Sequence, residues 1–513
     1  AASNFHDRVG GKDFRDHVFG EGKEAYDSIP NTAYEEQAAA LRMGYLGMED
    51  HFMEVKAGYT RQSDAPRPDG YFENTGKEDR ISRYFDPQEF TYLHIRDQWQ
   101  IGSDWLERLQ TTVWWHRFGE EQTREDWRDD QTILRRREYD NQLDALGIDL
   151  QATTFWGDAR SHELSWGGTI IFENTSNAYR EFRNGSAYKP EDWNNKTTVS
   201  DDSEYTSLGV FLQDNWKLTE KFRLLTSVRY SRYDWSFGEV DGEVSDVTGG
   251  LRGEWAVAPQ QRVFAGISRG FRAPNLTNLD GASDRGSSGI EAQGNPNLDP
   301  EVSLTYEGGW KWQADEDQLS LTVFHTQLED LIQSDFSSGE GRVTNIEDGE
   351  LQGFESAWDV GLSFLSPEDA GYRVSVVGAV SLVEGTKDIP QEDGTVFRDN
   401  LSRANRLYGR LGLKLRTVNN YWGLLQVRWH ADYDKVSADD GGDVRLTVAG
   451  NPDGSMPGYE ILDFMVGWES DDGKVNFSLF VENIADETYR EIGSSVDGVG
   501  RNVGMTAGVG VLH

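Results

Sequence analysis

The stretch 221-KFRLLTSVRYSRYDW-235 alternates apolar and polar residues. Phe222, Leu224, Val228 and Tyr230 share one face of an extended chain. The opposite face carries Lys221, Arg223, Ser227, Arg229 and Ser231. A period of two residues is typical of a β-strand that has one face in an apolar environment and the other in water. The stretch therefore predicts a half-buried strand.

The same alternation recurs along the chain. It is clear in 317-DQLSLTVFHTQL-328, in 475-VNFSLFVEN-483 and in the last segment, where Val503, Met505 and Val509 stand at odd positions. We find about nineteen strand candidates of roughly 10 residues each. A soluble β-sandwich would also alternate, but Arg, Glu and Asn on the polar face of many strands favour a barrel with a wet lumen.

The connections between these strands alternate between short and long. Short connections lie at 157–160, at Pro259 and at 418–419. Long connections lie at 61–89, 118–145, 173–204, 271–300 and 434–457. Tight turns at one end and long loops at the other are typical of bacterial outer-membrane barrels. The sequence therefore predicts an all-β fold, a transmembrane antiparallel β-barrel with short periplasmic turns and long extracellular loops.

Composition limits the other classes of protein. The chain has 513 residues, no cysteine and a mean hydropathy of −0.67. It holds no apolar run of the about 20 residues that a membrane helix requires. Alternating strands average to a low hydropathy, so this value is compatible with a membrane barrel. The net charge of −39 argues against a nucleic-acid partner, because phosphate binding needs clustered Lys and Arg.

The acidic excess is densest in two predicted linkers, 119-GEEQTREDWRDD-130 and 436-VSADDGGD-443. A solvated loop surface kept soluble by charge explains such runs in most proteins. The sharper interpretation is a loop-bound calcium ion, because Asp439, Asp440 and Asp443 offer the hard oxygen ligands that calcium prefers. Their spacing lacks a recognised calcium-loop pattern.

Six short stretches stand in a recognisable order in the second half of the chain. They are 269-RGFRAPNL-276, 294-GNPNLDPE-301, 303-SLTYEGGW-310, 345-NIEDGELQGFE-355, 458-GYEILDFMVGW-468 and 479-LFVENIADETYR-490. Together they resemble the barrel of the TonB-dependent outer-membrane receptors across most of residues 205–513. Upstream, 84-YFDPQEFTYLHIRDQW-99 and 162-HELSWGGTIIFEN-174 resemble the haem and siderophore branch of that family.

The resemblance implies a 22-stranded barrel that holds a plug domain in its lumen. It implies a place in the outer membrane of a Gram-negative bacterium, in contact with membrane lipid and lipopolysaccharide. It also implies that the TonB–ExbB–ExbD complex drives the receptor through the plug. The expected function is energised uptake of a scarce nutrient, with a ferric siderophore or related iron complex as the first candidate. The family consists of transporters, so we expect no enzyme activity.

The ligand-binding candidates lie in the loop motifs and on one strand. Arg272, Asn275, Asn295 and Asn297 belong to the two loop motifs, and Arg229 is on the polar face of its strand. Turn and rim chemistry is the alternative role for most of the motif residues. Residues 275–294 contain no histidine, which weighs against haem as the cargo. The nine histidines are scattered, and none pairs at a metal-ligand spacing in the sequence.

The order of connections suggests that this chain begins inside the barrel domain. A strand near 35–46 precedes the short turn at 47–50, so residues 1–34 are predicted to be an extracellular loop segment. Residues 35–513 are predicted to form the barrel, and no plug-like sequence precedes Glu35. A complete barrel has an even strand number. We therefore expect the plug and about three strands on another fragment or chain.

Three classes of function stay open at this stage. The first is the energised uptake receptor. The second is a plugless barrel that acts as a passive pore or as a structural component of a larger envelope complex. The third is a soluble β-rich enzyme or lectin, for which no nucleophile–histidine–acid set or paired-carboxylate motif stands out.

Overall fold

The computed structural model describes residues 2–6, 33–66, 81–103, 105–128, 132–184, 186–188, 199–281, 283–284, 291–335, 341–365, 367, 370–390, 395–404, 406–441, 454–494 and 498–509. Within these ranges, nineteen strands of eight or more residues follow one another. Each pairs antiparallel with the next long strand along the chain. Because a twisted sheet of this size curls on itself, the meander forms a barrel wall.

The long strands have the following bounds. The first ten are β2 Tyr34–Met48, β3 His51–Ser63, β5 Ile81–Gln100, β6 Arg108–Trp127, β7 Ile133–Trp156, β8 His162–Arg183, β10 Glu204–Lys217, β11 Phe222–Phe237, β12 Val240–Ala258 and β13 Gln261–Arg272. The other nine are β16 Glu301–Ala314, β17 Asp317–Asp335, β18 Gly341–Gly361, β19 Tyr372–Pro390, β21 Arg406–Thr417, β22 Tyr421–His430, β23 Tyr459–Glu469, β24 Val475–Glu482 and β25 Asn502–Val509.

Shorter elements lie in or beside the connections. They are β1 Ala2–His6, β4 Ala65–Pro66, β9 Ser186–Tyr188, β14 Ser283–Asp284, β15 Glu291–Gln293, β20 Val396–Asn400, a 3₁₀ turn at Asp158–Arg160, and helices α1 Leu276–Leu279 and α2 Ala438–Gly441. No helix in the described part of the chain is long and apolar enough to cross a membrane.

The two faces of the sheet differ as the alternation predicts. On β11, Val228 is 46 % exposed on the outer face, while Arg229 points to the inner face. On β21, Leu411, Leu413 and Leu415 are likewise exposed. In a soluble protein such a belt of exposed large apolar residues would be costly, but it matches a surface that faces lipid. The prediction of a transmembrane barrel of about nineteen strands is confirmed.

Aromatic side chains cover glycines on the neighbouring strand at many points of the wall. Phe324 lies directly opposite Gly353, and a Cβ built on that glycine would stand 2.3 Å from the ring. The same holds for the cross-strand pairs Trp114–Gly147, Trp358–Gly378, Trp422–Gly467 and Phe480–Gly504. Each glycine thus leaves room for a ring to lie flat across two strands. Gly353, in the stretch 345–355, thereby allows the close approach of the Phe324 ring.

Many connections agree with the predicted rhythm. At the end of the barrel that we call the turn end, strands are joined through residues 49–50, 259–260 and 418–420. At the opposite, loop end, residues 273–300 and 431–458 form long connections. However, β11 and β12 are joined at the loop end by residues 238–239 alone. The predicted long linker at 118–145 is wrong. β6 continues to Trp127 and β7 already begins at Ile133, so most of these residues are in strands.

Cross-strand ion pairs explain that correction. The acidic run 119–130 was predicted as a solvated loop, but most of it belongs to β6. Asp126 pairs with Arg135 at 2.8 Å and with Arg137 at 3.2 Å on β7. Opposite charges on adjacent strands stabilise a hairpin that extends beyond the barrel wall.

The segment 1–34 is described only in part. Ala2–His6 form β1, which pairs antiparallel with residues 34–38 of β2 at the loop end. These five residues therefore join the sheet, although the sequence predicted a loop over 1–34. Residues 7–32 lie outside the described ranges.

Candidate ligand-binding site

Two of the predicted ligand-binding residues are engaged in the connection between β13 and β16. Arg272 forms a bidentate pair with Glu301, with Nε at 2.5 Å from Oε2. Asn275 caps α1, because its side chain accepts a hydrogen bond from the backbone of Asn278 at 2.8 Å. Both contacts fix the backbone where β13 ends. They give these residues the architectural role that was the alternative in the sequence.

Asn295 and Asn297 hold the second loop motif. The Asn295 amide donates to the Val343 carbonyl at 3.1 Å, and its oxygen accepts from the backbone of Asn297 at 3.0 Å. Asn345 continues the same junction, donating to the carbonyls of Asp299 and Asp330. The motifs at 294–301 and 345–355 are therefore joined to each other. Of the two predicted residues, Asn295 is buried and Asn297 is exposed.

Arg229 lies far from those motifs on the inner face of the wall. Its Nε donates to Ser231 at 3.0 Å on the same strand. Its guanidinium also fills the space beside Gly209 on β10. The structure therefore does not bring the five predicted residues together into one site.

The calcium candidate Asp440 is occupied by protein donors. Asp440 is 1 % exposed, and its carboxylate accepts hydrogen bonds from Ser402 Oγ at 2.7 Å, Tyr433 Oη at 2.6 Å and the Arg403 backbone at 3.0 Å. Burial raises the pKa of Asp440, but these hydrogen bonds outweigh burial and hold its pKa below the ordinary value. Burial, together with the contact to Asp440, raises the pKa of the Tyr433 phenol.

The other two calcium candidates do not complete a metal site around Asp440. Asp439 lies in α2, and Asp443 is outside the described residues. Among the residues that the structure describes, no three or more His, Cys, Asp or Glu side chains form a group that could hold a metal ion. The interpretation of 436–443 as a calcium loop thus has no support from Asp440, which instead joins two loops.

Three connections pack together at the loop end, above β21, β22 and β23. Tyr433 and Met456 form a β-bridge within the 431–458 connection and pack with Val436 and with Ile492 from the 483–501 connection. The 391–405 connection joins this group of residues, because Ser402 donates a hydrogen bond to the Asp440 carboxylate. We call this assembly the three-loop cap.

The motifs at 458–468 and 479–490 meet below the cap. Asp463, which is 1 % exposed, accepts a hydrogen bond from the backbone of Asn483 at 3.0 Å. The Asn483 side chain in turn donates to the carbonyls of Glu487 and Val499, which shapes the β24–β25 connection. Asp463 also holds Arg428, whose Nε lies 2.5 Å from its carboxylate.

A recess of about 680 Å³ opens on the inner wall beside these residues. Arg406, Arg410 and Arg428 line it with cationic side chains. Tyr408, His430 and Tyr459 line it as well, and their rings follow one another across β21, β22 and β23 with centroids 6.0 and 5.9 Å apart. The recess therefore combines guanidinium groups with a row of aromatic rings.

Several polar groups of the recess have no protein partner in the described part of the chain. The buried Nε of Arg406 and the buried Nε2 of His430 make no hydrogen bond there. Arg410 makes no ion pair with any described residue, whereas Arg428 is paired with Asp463. His430 Nδ1 donates to the Ala431 carbonyl at 2.6 Å, which leaves Nε2 of the neutral ring as an acceptor. Because buried donors are satisfied in most proteins, the unpaired Arg406 Nε points to an acceptor supplied by a ligand or water.

The positive charge continues down the wall. A second recess of about 530 Å³ shares Ser320, Ala357 and Arg410 with the first and is also lined by Lys414. The inner face of β21 thus carries Arg406, Arg410, Lys414 and Arg416, which we call the basic stripe. Lys414 is paired with Asp359 at 3.0 Å, so Arg406 and Arg410 are the residues of the stripe that line a recess and remain open to an anion.

Sequence reasoning missed the basic stripe. Its signal was present in 406-RLYGRLGLKLR-416, where every basic residue falls at an even position and the leucines fall at odd positions. The sequence offers less indication that Arg428 belongs to this recess. Its place beside Arg410 follows from the β21–β22 register, which the sequence does not state.

Comparison with known proteins agrees with the architecture. A family model described as TonB dependent receptor-like, beta-barrel matches residues 29–484. An iron-regulated outer membrane virulence protein of Vibrio cholerae serotype O1 is 33 % identical over 128 residues, which are 25 % of this chain and 19 % of that protein. The aligned segment is thus a small part of that curated relative.

Several solved structures are similar to the whole chain. The copper transporter OprC matches with a TM-score of 0.73 and 16 % identity, over 99 % of this chain and 74 % of OprC. The FrpB iron transporter from Neisseria meningitidis, in its F5-1 apoprotein form, matches with a TM-score of 0.70 and 14 % identity, over 98 % of this chain and 75 % of FrpB. At these identities the similarity concerns the fold alone.

Proposed function

This chain belongs to the TonB-dependent receptor-like β-barrel family, and from that premise we propose that it takes up an anionic ferric chelate of the siderophore class across a Gram-negative outer membrane. The FyuA receptor from Yersinia pestis, which is named as the ferric yersiniabactin uptake receptor, has the same fold with a TM-score of 0.62 and 15 % identity, over 99 % of this chain and 73 % of FyuA. The cargo of this chain is inferred from its own residues.

The observation that carries the proposal is the recess on the inner wall. Arg406 and Arg410, which form no ion pair with the described residues, supply positive charge beside the lining carboxylates Glu355 and Glu491. The row Tyr408–His430–Tyr459 supplies flat aromatic surface. Ferric chelates with catecholate ligands carry negative charge and aromatic rings. Guanidinium groups bind such oxygens through charge-assisted hydrogen bonds, and they also stack on aromatic faces.

The proposal includes the partners that the family implies. A plug domain, supplied by another fragment or chain, would close the lumen and contact TonB–ExbB–ExbD, while the exposed apolar belt would contact lipid and lipopolysaccharide. Peptide mapping of the native complex purified in detergent tests this part. A co-purifying plug fragment is expected. Its absence would favour the alternative, a passive pore or a structural component of an envelope complex.

Ligand binding tests the recess directly. The full chain in detergent is titrated with a trianionic ferric tris-catecholate, and binding is followed by quenching of tryptophan fluorescence. Arg406→Gln and Arg410→Gln should each weaken binding about 10-fold, since a hydrogen bond to a charged group contributes about 1.5–3 kcal/mol. These two residues suit the test because neither has an ion-pair partner among the described residues.

Arg416→Gln is the matched control. It removes the same charge from the same face of β21, but Arg416 does not line either of the two recesses. Its affinity should equal that of the unmodified chain. A neutral ferric tris-hydroxamate serves as the second ligand, and it should bind all variants alike. Equal catecholate affinity in Arg406→Gln, Arg410→Gln and the control would refute the assigned recess.

A further inference from the structure

Two histidines meet on the inner wall, at a place that the proposed function does not use. His94 on β5 and His116 on β6 have their Nε2 atoms 2.7 Å apart. Their rings lie 4.9 Å apart at an interplanar angle of 29°. The sequence predicted no histidine pair, because 22 residues separate them along the chain. The β5–β6 register brings them together, since Tyr92 lies opposite His116 and His94 opposite Trp114.

Alternation places both imidazoles in the lumen. Leu93 and Ile95 are exposed on the outer face of β5, and Val113 on that of β6. Their neighbours His94 and His116 therefore point inward. Both are only partly buried, so an ion in the lumen can approach the Nε2 atoms.

The surrounding side chains hold the pair in position. The Trp114 ring lies 4.5 Å from that of His116, and Phe90 and Tyr92 contact the two imidazoles edge-on at 5.4 Å. The Trp114 indole donates to Asp149 at 2.8 Å. An aromatic frame that is anchored by a hydrogen bond limits the rotamers of both histidines.

Two opposite charges lie near His94. Lys56 on β3 and Asp149 on β7 act on His94 with opposite sign. The Lys56 ammonium forms an ion pair with Glu54, with Nζ 3.1 Å from Oε1. Neutral imidazoles are the form that binds transition metals, and one shared N–H explains the 2.7 Å distance in the absence of an ion.

The separation of the two nitrogens is close to what a metal needs. With bonds of about 2.0–2.1 Å, two ligands of one ion lie about 2.9 Å apart at a right angle and about 3.3 Å apart in a tetrahedron. An opening of about 0.2–0.6 Å is needed, together with a rotation of both rings that aims their Nε2 lone pairs at one ion, and changes of χ provide both. Imidazole prefers copper, nickel, zinc and iron, and copper(II) binds most tightly in the divalent series.

We propose that His94 and His116 form a two-imidazole site for a divalent first-row transition-metal ion on the inner wall. The described residues offer no third His, Cys, Asp or Glu ligand there, so water fills the remaining positions. A site with open positions exchanges its ion readily. The proposal is independent of the ferric chelate, because it concerns β5 and β6 and a free ion rather than the recess beside β21–β23.

Copper(II) is the probe that tests the site. The full chain, without a histidine tag, is titrated with Cu²⁺ in detergent and examined by electron paramagnetic resonance. We expect one tight equivalent whose superhyperfine pattern shows two equatorial nitrogens. This measurement on the unmodified chain does not depend on how any variant folds. A spectrum without a two-nitrogen species would overturn the proposal.

Substitutions then assign the ligands. His94→Gln and His116→Gln should each weaken Cu²⁺ binding at least 10-fold and remove the two-nitrogen signal. His325→Gln is the matched control, because His325 lies on β17 opposite Tyr306, which is exposed on the outer face. It should bind Cu²⁺ like the unmodified chain. Unchanged affinity in both His94→Gln and His116→Gln, or an equal loss in His325→Gln, would contradict the assignment.

Discussion

The Asp440 carboxylate connects two surface loops that are distant in the sequence. It is buried, and it accepts hydrogen bonds from Ser402 and Tyr433 and from the backbone of Arg403. A buried carboxylate in such a position is stabilising only while it is ionised and its donors are in place. Asp440 is therefore one of the contacts that hold the three-loop cap above the recess, together with the hydrogen bond from the Ala438 backbone to Asp399 and the packing of Tyr433 on Met456.

Asp440→Asn should loosen the three-loop cap. Asparagine presents one oxygen in place of two, so at least one of the three donors loses its acceptor, at a cost of about 1–3 kcal/mol. Hydrogen–deuterium exchange of the segments around 395–404 and 431–441 should increase by 10-fold or more, while β6 and β7 keep their protection. Unchanged exchange in both segments would show that Asp440 does not hold the cap.

Acid should have the same effect on the unmodified chain. Because the pKa of Asp440 is held below its ordinary value, its contribution to stability is present above the ordinary pKa of about 4 and is lost as pH falls further. The protection factors of the cap amides, which are corrected for the pH dependence of intrinsic exchange, should therefore fall below about pH 4 and stay constant from pH 5 to 7. Asp440→Asn should show no such transition.

At the scale of the element, β11 offers a direct test of which face meets lipid. Val228 is exposed on the outer face, and the adjacent Ser227 faces the lumen. Val228→Arg should destabilise the folded barrel by about 2–4 kcal/mol, the cost of arginine near the bilayer midplane. Ser227→Arg adds the same side chain one residue earlier and should change stability little. Urea unfolding in lipid vesicles, followed by tryptophan fluorescence, measures both.

The same strands show what the sequence could and could not predict. Alternation was enough to predict β11, β17 and β24, because the apolar and polar faces of a strand can be recognised from the residues of that strand alone. It failed at 119–130, where ion pairs between β6 and β7 turn a charged run into strand. The His94–His116 pair and the recess around Arg428 depend on the register between strands, which no single strand encodes.

The predicted ligand-binding residues stay a prediction, although several of them have structural contacts. Arg272, Asn275 and Asn295 were chosen because their motifs stand out in the sequence, and each proves to hold a loop in place. Arg406, which we propose as a ligand-binding residue, instead has an Nε without a hydrogen-bond partner among the described residues. Such a property appears only when the partners of every side chain are known.

At the scale of the whole molecule, a strongly acidic chain carries one strand with a basic inner face. The chain carries 89 acidic and 50 basic residues, a net charge of −39, yet the inner face of β21 is basic. A trianionic chelate therefore meets repulsion at long range and attraction only after it enters the barrel. Screening acts differently on these two stages, because charges farther apart than about 10 Å are largely screened at 0.1 M salt.

Association kinetics should separate the two stages. As salt rises from about 0.02 to 0.2 M, the association rate of a ferric tris-catecholate should increase several-fold, since the long-range repulsion is screened first. The dissociation rate should change less, because the guanidinium contacts in the recess act at short range. A neutral ferric tris-hydroxamate should show no salt dependence in stopped-flow fluorescence. If the association rate of the trianion falls with salt instead, then the basic stripe attracts the chelate from outside the barrel, and the acidic surface is not a barrier to entry.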